Sequence, residues 1–207
     1  MNVVEARKLV RRRLTERGLK TIRRPLSPKL WCRTVEEVTP YYSPAVYRVG
    51  RWVHLCGAIG IYITEFELLW HQLWRRYCPE DRWDDSSLFS ISVDNIKQFR
   101  SPPAILADSK ESIVREEQWL DAVLMAVDEM PKSLSSVIGQ LKKNRLGRYP
   151  ANCIDGHFVR RRVFVRWLQE NSYDIPEIEV RQPVWLISTI LEPILRRLED
   201  DKPLSEL

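Results

Sequence analysis

The chain has 207 residues, of which 33 are basic and 28 acidic, and its formal net charge is +5. Hydrophobic residues make up 44% and charged residues 29%, a mixture typical of a globular protein and not of a disordered or fibrous one. The longest uncharged apolar run, Trp52 to Thr64, is shorter than the roughly 18–20 residues that a membrane span requires. We therefore expect a globular protein without a membrane partner.

The basic residues are concentrated in two segments of the chain. Residues 1–35 carry a net charge of +9 and residues 138–166 a net charge of +7, whereas residues 36–137 carry −6 and residues 167–207 carry −5. Alternating blocks of this kind either neutralise one another across a fold or line up on one face. Both arrangements stay open at the level of sequence.

The first third of the chain predicts one helix followed by strands. Apolar residues recur at helical spacing from Val3 to Arg17, and Gly18 follows where a left-handed helix cap is expected. After a segment punctuated by prolines, three stretches have strand composition, and a tight turn at Gly50-Arg51 joins the last two. These stretches are Leu30–Val38, Ala45–Val49 and Trp52–Ile63. We expect an antiparallel meander of three or four strands.

The remainder of the chain is predicted to be mostly helical. Thr64 and Glu67 have the spacing of a capping box, which would open a helix that ends near Cys78-Pro79. Further helical patterns run from about Ser109 to Met130, from Pro131 through Leu141 into the basic run at Lys142–Arg145, from Asp155 to Asn171 and onward from Pro183. The fold class is therefore α+β. A domain over residues 1–100 would carry the small antiparallel sheet, and a helical extension over 101–207 would pack on it as one compact unit.

The cysteines favour a reducing compartment. Cys32, Cys56, Cys78 and Cys153 include no C-x-x-C pair, and the arginine-rich N-terminal stretch lacks the apolar segment of a secretory signal. Buried thiols in the cytoplasm are the natural interpretation.

Two groups of residues have the chemistry of a catalytic or metal site. Glu67 and His71 share one helix face with Cys78 and would suit ligands or an acid–base pair, but a hydrogen bond between Glu67 and His71 on a solvated face explains them equally. Asp155 and His157 follow Cys153 closely, yet this pattern is also typical of a helix start with an aspartate cap. We predict neither metal nor cofactor and lean against an enzyme, with a metal-dependent hydrolase as an alternative.

Short phosphate-binding and nucleophile motifs are missing from the sequence. It contains no G-x-G-x-x-G, no G-x-x-x-x-G-K-[ST] and no G-x-S-x-G. The most recognisable nucleotide-binding and hydrolase signatures are therefore absent, and an enzyme without a short motif stays open as an alternative.

Clustered arginines form a candidate nucleic-acid surface. They would neutralise phosphates along a strand, although arginine-rich faces are also typical of solvated helices with acidic partners, and no recognised nucleic-acid module accompanies them. The residues are Arg11, Arg12, Arg13, Arg23, Arg24, Arg160, Arg161, Arg162 and Arg166.

The eight tryptophans divide into two groups. Five lie on apolar helical patterns and are expected in the core. The other three, Trp31, Trp52 and Trp83, have charged neighbours in strand or loop contexts. Because tryptophan beside arginine is common in protein interfaces, these three indicate binding to another protein.

One part of the chain resembles a known group of proteins. The segments Arg17-Gly18-Leu19, Leu30-Trp31-Cys32-Arg33, Arg51-Trp52 and Ile59-Gly60-Ile61-Tyr62-Ile63 resemble an uncharacterised family of small bacterial α/β proteins catalogued as a domain of unknown function. The resemblance covers about the first 75 residues and implies no catalytic residues. It implies an accessory or immunity-type role in bacteria, although the basic net charge departs from the acidic balance of immunity proteins against nucleases.

These observations lead to three hypotheses. The first is a non-enzymatic bacterial cytoplasmic module that binds another macromolecule, with a protein as the favoured class of partner. The second is a nucleic-acid-binding protein that uses the two basic segments, and the third is the metal-dependent hydrolase.

Overall fold

A computed structural model describes twelve stretches of the chain: residues 2–22, 29–77, 89–92, 110–141, 145–146, 149–150, 158–173, 175, 194, 196, 198 and 203–206. The α-helices are α1 (Val3–Glu16), α2 (Thr64–Tyr77), α3 (Lys110–Asp128), α4 (Leu134–Leu141) and α5 (Phe158–Glu170). The strands are β1 (Lys20–Ile22), β2 (Leu30–Cys32), β3 (Val38–Val49), β4 (Trp52–Ile63), β5 (Phe89–Ser92), β6 (Arg145–Leu146) and β7 (Tyr149–Pro150). Leu204–Glu206 forms a 3-10 turn. The predicted α+β class is confirmed.

The main sheet is an antiparallel meander in chain order, β1-β2-β3-β4-β5. Its centre is the long hairpin of β3 and β4, which pair without a break from Val38↔Ile63 to Val49↔Trp52. The turn falls at Gly50, whose φ of +59° suits a residue without a side chain. The meander prediction holds, but the sheet has five strands where three or four were expected.

Strand β3 is longer than the sequence pattern predicted. Pro40 and Pro44, which were expected to break the chain, lie inside it. Pro44 is opposite Gly57 of β4, and a Cβ added to Gly57 would lie 2.1 Å from the carbonyl oxygen of Ser43. The two strands therefore approach closely at a position where only glycine fits. Prolines are tolerated where a strand has few partners on one side, and β2 is in register with β3 only at Trp31↔Tyr42.

Helix α1 begins and ends as its sequence predicts. The Asn2 side chain accepts from the Glu5 amide and the Glu5 carboxylate accepts from the Asn2 amide, which completes a capping box. At the other end Gly18 has a φ of +79°, and the Leu19 amide donates to the carbonyl of Leu14. Both ends of the helix are thus satisfied locally.

The core lies between one face of the sheet and the helices. Ala6, Val10 and Leu14 of α1 are buried there, and the Tyr42 ring of β3 meets the Trp119 ring of α3 edge-on at 5.9 Å. The same cluster contains residues from both sides of residue 100, including Val163 and Leu204. The opposite face of the sheet carries a smaller cluster, which comprises Ile22, Leu30, Cys32, Tyr41 and Tyr62.

Helix α2 starts at the predicted residue but is capped differently. The Thr64 amide donates to the carbonyl of Glu37, and its hydroxyl donates to the carbonyl of Glu36. The loop before β3 therefore accepts the hydrogen bonds at the start of the helix. Glu67, whose side chain was expected to bond back to Thr64 in a capping box, points instead into the interface between α2 and α5. This interface is aromatic, with the Phe66 and Phe164 rings 5.0 Å apart.

The described helices of the second half agree with the pattern, whereas β6 and β7, which pair as a short antiparallel ribbon, were not predicted. Helix α3 and helix α4 fall on the predicted segments, and α5 begins at Phe158, since residues 151–157 lie outside the described residues. Most of the segment predicted from Pro183 also lies outside them. Within the described parts of the chain, no helix is long and apolar enough to cross a membrane.

Candidate functional site

Helix α1 carries arginines on both flanks of its buried face, and the flank toward α3 is neutralised. Arg13 approaches the Glu117 carboxylate at 3.2 Å, and Arg17 approaches the Asp121 carboxylate at 3.0 Å. We call this row of ion pairs the seam. The first basic segment is thus partly balanced by acidic residues about 100 positions later in the chain.

The seam continues beyond the end of α1. Arg33, just after β2, makes two parallel contacts of 2.9 and 3.1 Å with the Asp128 carboxylate, the geometry favoured between a guanidinium and a carboxylate. The hydrogen bond that Arg33 donates to Asp128 raises the pKa of Arg33. These contacts leave Arg33 committed to the fold.

Beneath the seam lies a buried carboxylate, Glu116, which is only 2% exposed. Its Oε1 has no hydrogen-bond partner among the described residues. Burial raises the pKa of this carboxyl, and the nearby Arg13 partly opposes that shift. Glu116 therefore favours its protonated form more than an exposed glutamate does.

The other flank of α1 faces a groove of about 530 Å³. The groove lies between α1, the start of β2 and the middle of β3. Its cationic lining residues come from α1 and from the residue before β2, and the other described lining residues are apolar. The cations are Arg7, Lys8, Arg11 and Lys29, and the apolar residues are Val4, Val10, Trp31, Pro44, Ala45 and Val46.

The groove differs from the seam in its charge balance. All four cations are exposed, and no carboxylate is among the described residues that line the groove. Within the described stretches, none of the four lies within ion-pair distance of an acidic side chain. The result is a local excess of positive charge over an apolar floor, which suits an anionic ligand with apolar groups.

The end of the β3–β4 hairpin presents an aromatic surface, which we call the hairpin end (residues 47–54). Tyr47 stacks on His54 with ring centroids 5.5 Å apart, and the Arg51 guanidinium lies 4.7 Å from the centre of the Trp52 ring. Tyr47 is 38%, Val49 54% and Trp52 36% exposed. Because Tyr47↔His54 and Val49↔Trp52 are cross-strand pairs, these side chains share one face of the ribbon.

The groove and the hairpin end are adjacent along β3. Val46 at the base of the groove and Tyr47 of the hairpin end are consecutive residues of β3, so their side chains point to opposite faces of the strand. No aspartate or glutamate occurs from Val38 to Ile63. The two surfaces are therefore neighbours along β3 that point to different faces, and β3 and β4 add no acidic side chain to either.

The predicted site on α2 is inside the protein. Glu67 is fully buried and forms an ion pair with Arg160 of α5, which is also fully buried. His71, one turn further on, is 6% exposed. The Arg160 guanidinium also lies 5.3 Å from the centre of the Trp70 ring. The arrangement is that of a buried charge pair between two helices, in which the carboxylate is held by an arginine.

The three described arginines of the second basic segment have different surroundings. Arg160 is buried against α2, and Arg166 approaches Glu170 on its own helix at 3.2 Å. Arg162 is half-buried. Of the three consecutive arginines in the first segment, Arg12 and Arg13 lie near carboxylates, and Arg11 faces the groove.

Several predicted site residues lie outside the described residues, or have side chains that do. They are Arg23, Arg24, Cys78, Trp83, Cys153, Asp155, His157 and the side chain of Arg161. Of the predicted tryptophans that are described, Trp31 is 5% exposed and lines the groove, and Trp52 lies on the hairpin end.

The sequence interpretation missed part of both surfaces. By helical spacing, Arg7 and Lys8 lie on the same flank of α1 as Arg11. Assigning each basic residue of α1 to one flank or the other would have identified this group from the sequence. Lys29 joins them only through the fold. Tyr47 and Arg51 were visible only as strand and turn residues, since exposure is not encoded in composition.

The described parts of the chain contain no group of three or more His, Cys, Asp or Glu side chains that could hold a metal ion. Comparison with protein-family models, with curated proteins and with solved structures finds no match to this chain. The resemblance to an uncharacterised bacterial family therefore stays a prediction.

Proposed function

We propose that this protein is a non-enzymatic binding module that recognises another protein through its hairpin end. The observation that carries the proposal is the exposed set of Tyr47, Val49 and Trp52, with Arg51 stacked on the tryptophan. Tyrosine, tryptophan and arginine are the residue types that dominate binding energy in protein interfaces. Contiguous exposed aromatic surface on a folded protein is typical of such sites.

The position of the hairpin end supports docking. In the described part of the sheet, β5 pairs with β4 only from Ala58 to Ile61, and β2 pairs with β3 only at Tyr42. Residues 45–56 therefore have only each other as strand neighbours. A two-stranded ribbon anchored by Val46 and Leu55 in the core holds its exposed face in a fixed geometry, which lowers the ordering cost of binding.

The alternatives receive less support from the geometry. Among the described residues, nucleic-acid binding through the two basic segments loses Arg13, Arg17 and Arg33 to ion pairs and Arg160 to the interior. A metal-dependent hydrolase would need Glu67, whose carboxylate is paired with Arg160.

The proposal includes a cytoplasmic location and the bacterial accessory or immunity-type role that the resemblance implies. Cys32 and Cys56 are thiols and not disulfides, and burial raises the pKa of the Cys32 thiol. A protonated, buried thiol has low reactivity and suits a reducing compartment.

The first test compares partner capture by three forms of the full chain. The hairpin variant carries Tyr47→Ser and Trp52→Ser. The control carries Leu68→Ser and Met125→Ser, which remove apolar side chains that are 58% and 62% exposed on α2 and α3. Each form is used as bait in an extract of the source cells, and captured proteins are quantified by mass spectrometry.

We expect the wild type and the control to capture the same protein and the hairpin variant to lose it. A loss of at least tenfold in affinity corresponds to about 1.4 kcal/mol, within the range for truncation of an interface aromatic residue. Equal capture by all three forms would contradict the proposal, as would turnover of a substrate by the purified protein.

A further inference from the structure

The groove beside the hairpin end contains charge that the fold does not balance. Arg7, Lys8 and Arg11 on α1 and Lys29 before β2 surround it, and its lining contains no carboxylate from the part of the chain that the structure describes. On the opposite flank of the same helix, Arg13 and Arg17 have acidic partners. Because Arg13 and Arg17 on the same helix do have acidic partners, the lack of described acidic partners is specific to the flank of α1 that faces the groove.

Groups of like charge repel one another and are unfavourable for folding, although solvent screens them. Such a group becomes favourable when an anion lies among its members. The α1 N-terminus does not supply this site, because its amides are occupied by the Asn2–Glu5 capping box. The cationic side chains therefore define the site.

The floor of the groove limits what the anion can be. Val10, Trp31 and Val46 are buried at its base, each less than 9% exposed. The Trp31 ring thus offers little area for a nucleotide base to stack on, which is the usual contact of single-stranded nucleic acids. An extended peptide that alternates carboxylates with small apolar side chains matches both the cationic rim and the apolar floor.

We propose that the groove binds an acidic, extended segment of a partner protein. This inference rests on the proposed function in that the partner is a protein, and it adds the chemistry of the segment that the protein recognises. Carboxylates of the segment contact Arg7, Arg11 and Lys29, and its apolar side chains lie over Val46.

The experiment uses neighbouring residues as site and control. Arg11→Glu changes a groove residue, whereas Arg12→Glu makes the same charge change one position along, outside the groove lining. Both side chains are exposed, so neither change removes core packing. The probe is a fluorescein-labelled octapeptide of alternating glutamate and leucine, and binding to the full chain is measured by fluorescence anisotropy at low ionic strength.

We expect the acidic peptide to bind, with an affinity that falls as salt is raised. Arg11→Glu should weaken binding about tenfold or more, because it replaces an attraction with a repulsion, and Arg12→Glu should change it less than about threefold. Lys29→Glu should act like Arg11→Glu and provides a second site variant from a different element. Circular dichroism confirms that each variant is folded.

Three results would overturn the inference. One is no binding of the acidic peptide at low salt, and another is an equal loss in the Arg11 and Arg12 variants, which would indicate general charge attraction. The third is tighter binding of an oligothymidylate of eight nucleotides with the same dependence on Arg11, which would indicate a nucleic-acid site.

The hairpin variant separates this inference from the proposed function. Tyr47→Ser with Trp52→Ser should leave binding of the short acidic peptide within about threefold of the wild type. If that variant still captures the natural partner while Arg11→Glu does not, the groove proposal stands and the hairpin-end proposal fails. The reverse result would overturn the groove proposal alone.

Discussion

The arginines of this protein occupy two opposite environments. At the seam between α1 and α3, and at the interface between α2 and α5, arginines contact carboxylates. In the groove, Arg7 and Arg11 lie on the same helix as the seam arginines but face an apolar wall and solvent. Arginines that are neighbours in the sequence therefore have different roles. Some form ion pairs that stabilise the fold, and others line the groove that we propose as a binding site.

The most strongly paired arginine is Arg160, and breaking that pair should have the largest effect. Arg160→Met leaves the Glu67 carboxylate uncompensated in the interior, at an expected cost of about 3–5 kcal/mol in the free energy of unfolding. Urea denaturation followed by circular dichroism measures this loss.

The matched control removes both charges. Glu67→Leu combined with Arg160→Met should recover most of the lost stability, since a buried ion pair replaced by apolar residues is often neutral or stabilising. If the double variant is as unstable as the single one, the cost arises from lost packing around Phe66 and Trp70, which both lie within 6 Å of the Arg160 guanidinium.

The pH dependence of the free energy of unfolding tests the role of Glu116 beneath the seam. Because burial raises its pKa above the ordinary 4.5, the folded protein binds this proton more tightly than the unfolded chain does. The resulting stabilisation is complete below pH 4.5 and is lost as pH rises through the folded-state pKa. Glu116→Gln should remove that loss and raise the free energy of unfolding at pH 7 by about 1 kcal/mol.

The neighbouring Glu117→Gln is the control for that measurement. Its side chain is 42% exposed and contacts Arg13, so the substitution should lower stability by about 0.2–1 kcal/mol and leave the pH dependence intact. Unfolding curves between pH 4 and pH 8 compare the two variants. A wild-type profile that Glu116→Gln does not flatten would show that another group is responsible.

The smallest effect compares the two flanks of α1 directly. Arg17→Gln removes a seam ion pair with Asp121 and should lower the free energy of unfolding by about 0.2–1 kcal/mol. Arg11→Gln removes one of several like charges and should be neutral or stabilising by a few tenths of a kcal/mol.

Thermal unfolding at low and high salt would show the difference between the flanks. It should shrink at high salt because both effects involve exposed charges. Equal destabilisation by Arg17→Gln and Arg11→Gln would mean that the groove arginine also has a structural partner, and the contrast between the flanks would fail.

Much of the fold follows from local patterns. The α1 periodicity, its glycine cap and the Gly50-Arg51 turn were all predicted at nearly the correct positions. The continuation of β3 through Pro44 was not, because it depends on the close approach of Ser43 to Gly57 on the opposite strand. Strand β1 was missed because three residues are too few to show a period.

The candidate site was predicted less well than the fold. Trp52 was identified as a surface residue and lies on the hairpin end, whereas Trp31, which was grouped with it as a surface tryptophan, is 5% exposed and belongs to the core cluster. Arg11 was among the predicted binding arginines and lines the groove. Arg12, Arg13 and Arg160 were grouped with it on composition alone. Sequence could not separate these arginines because their partners lie on other helices.

The sequence by itself determined the elements of this protein, since side chains three or four residues apart share a helix face and alternate residues share a strand face. Only the tertiary structure decided which charges are balanced. Arg17 meets Asp121 across 104 positions of the chain, while Arg11, six residues earlier, meets none of the described carboxylates. Coulomb interactions depend on distance in space, and that distance exists only once the helices have packed.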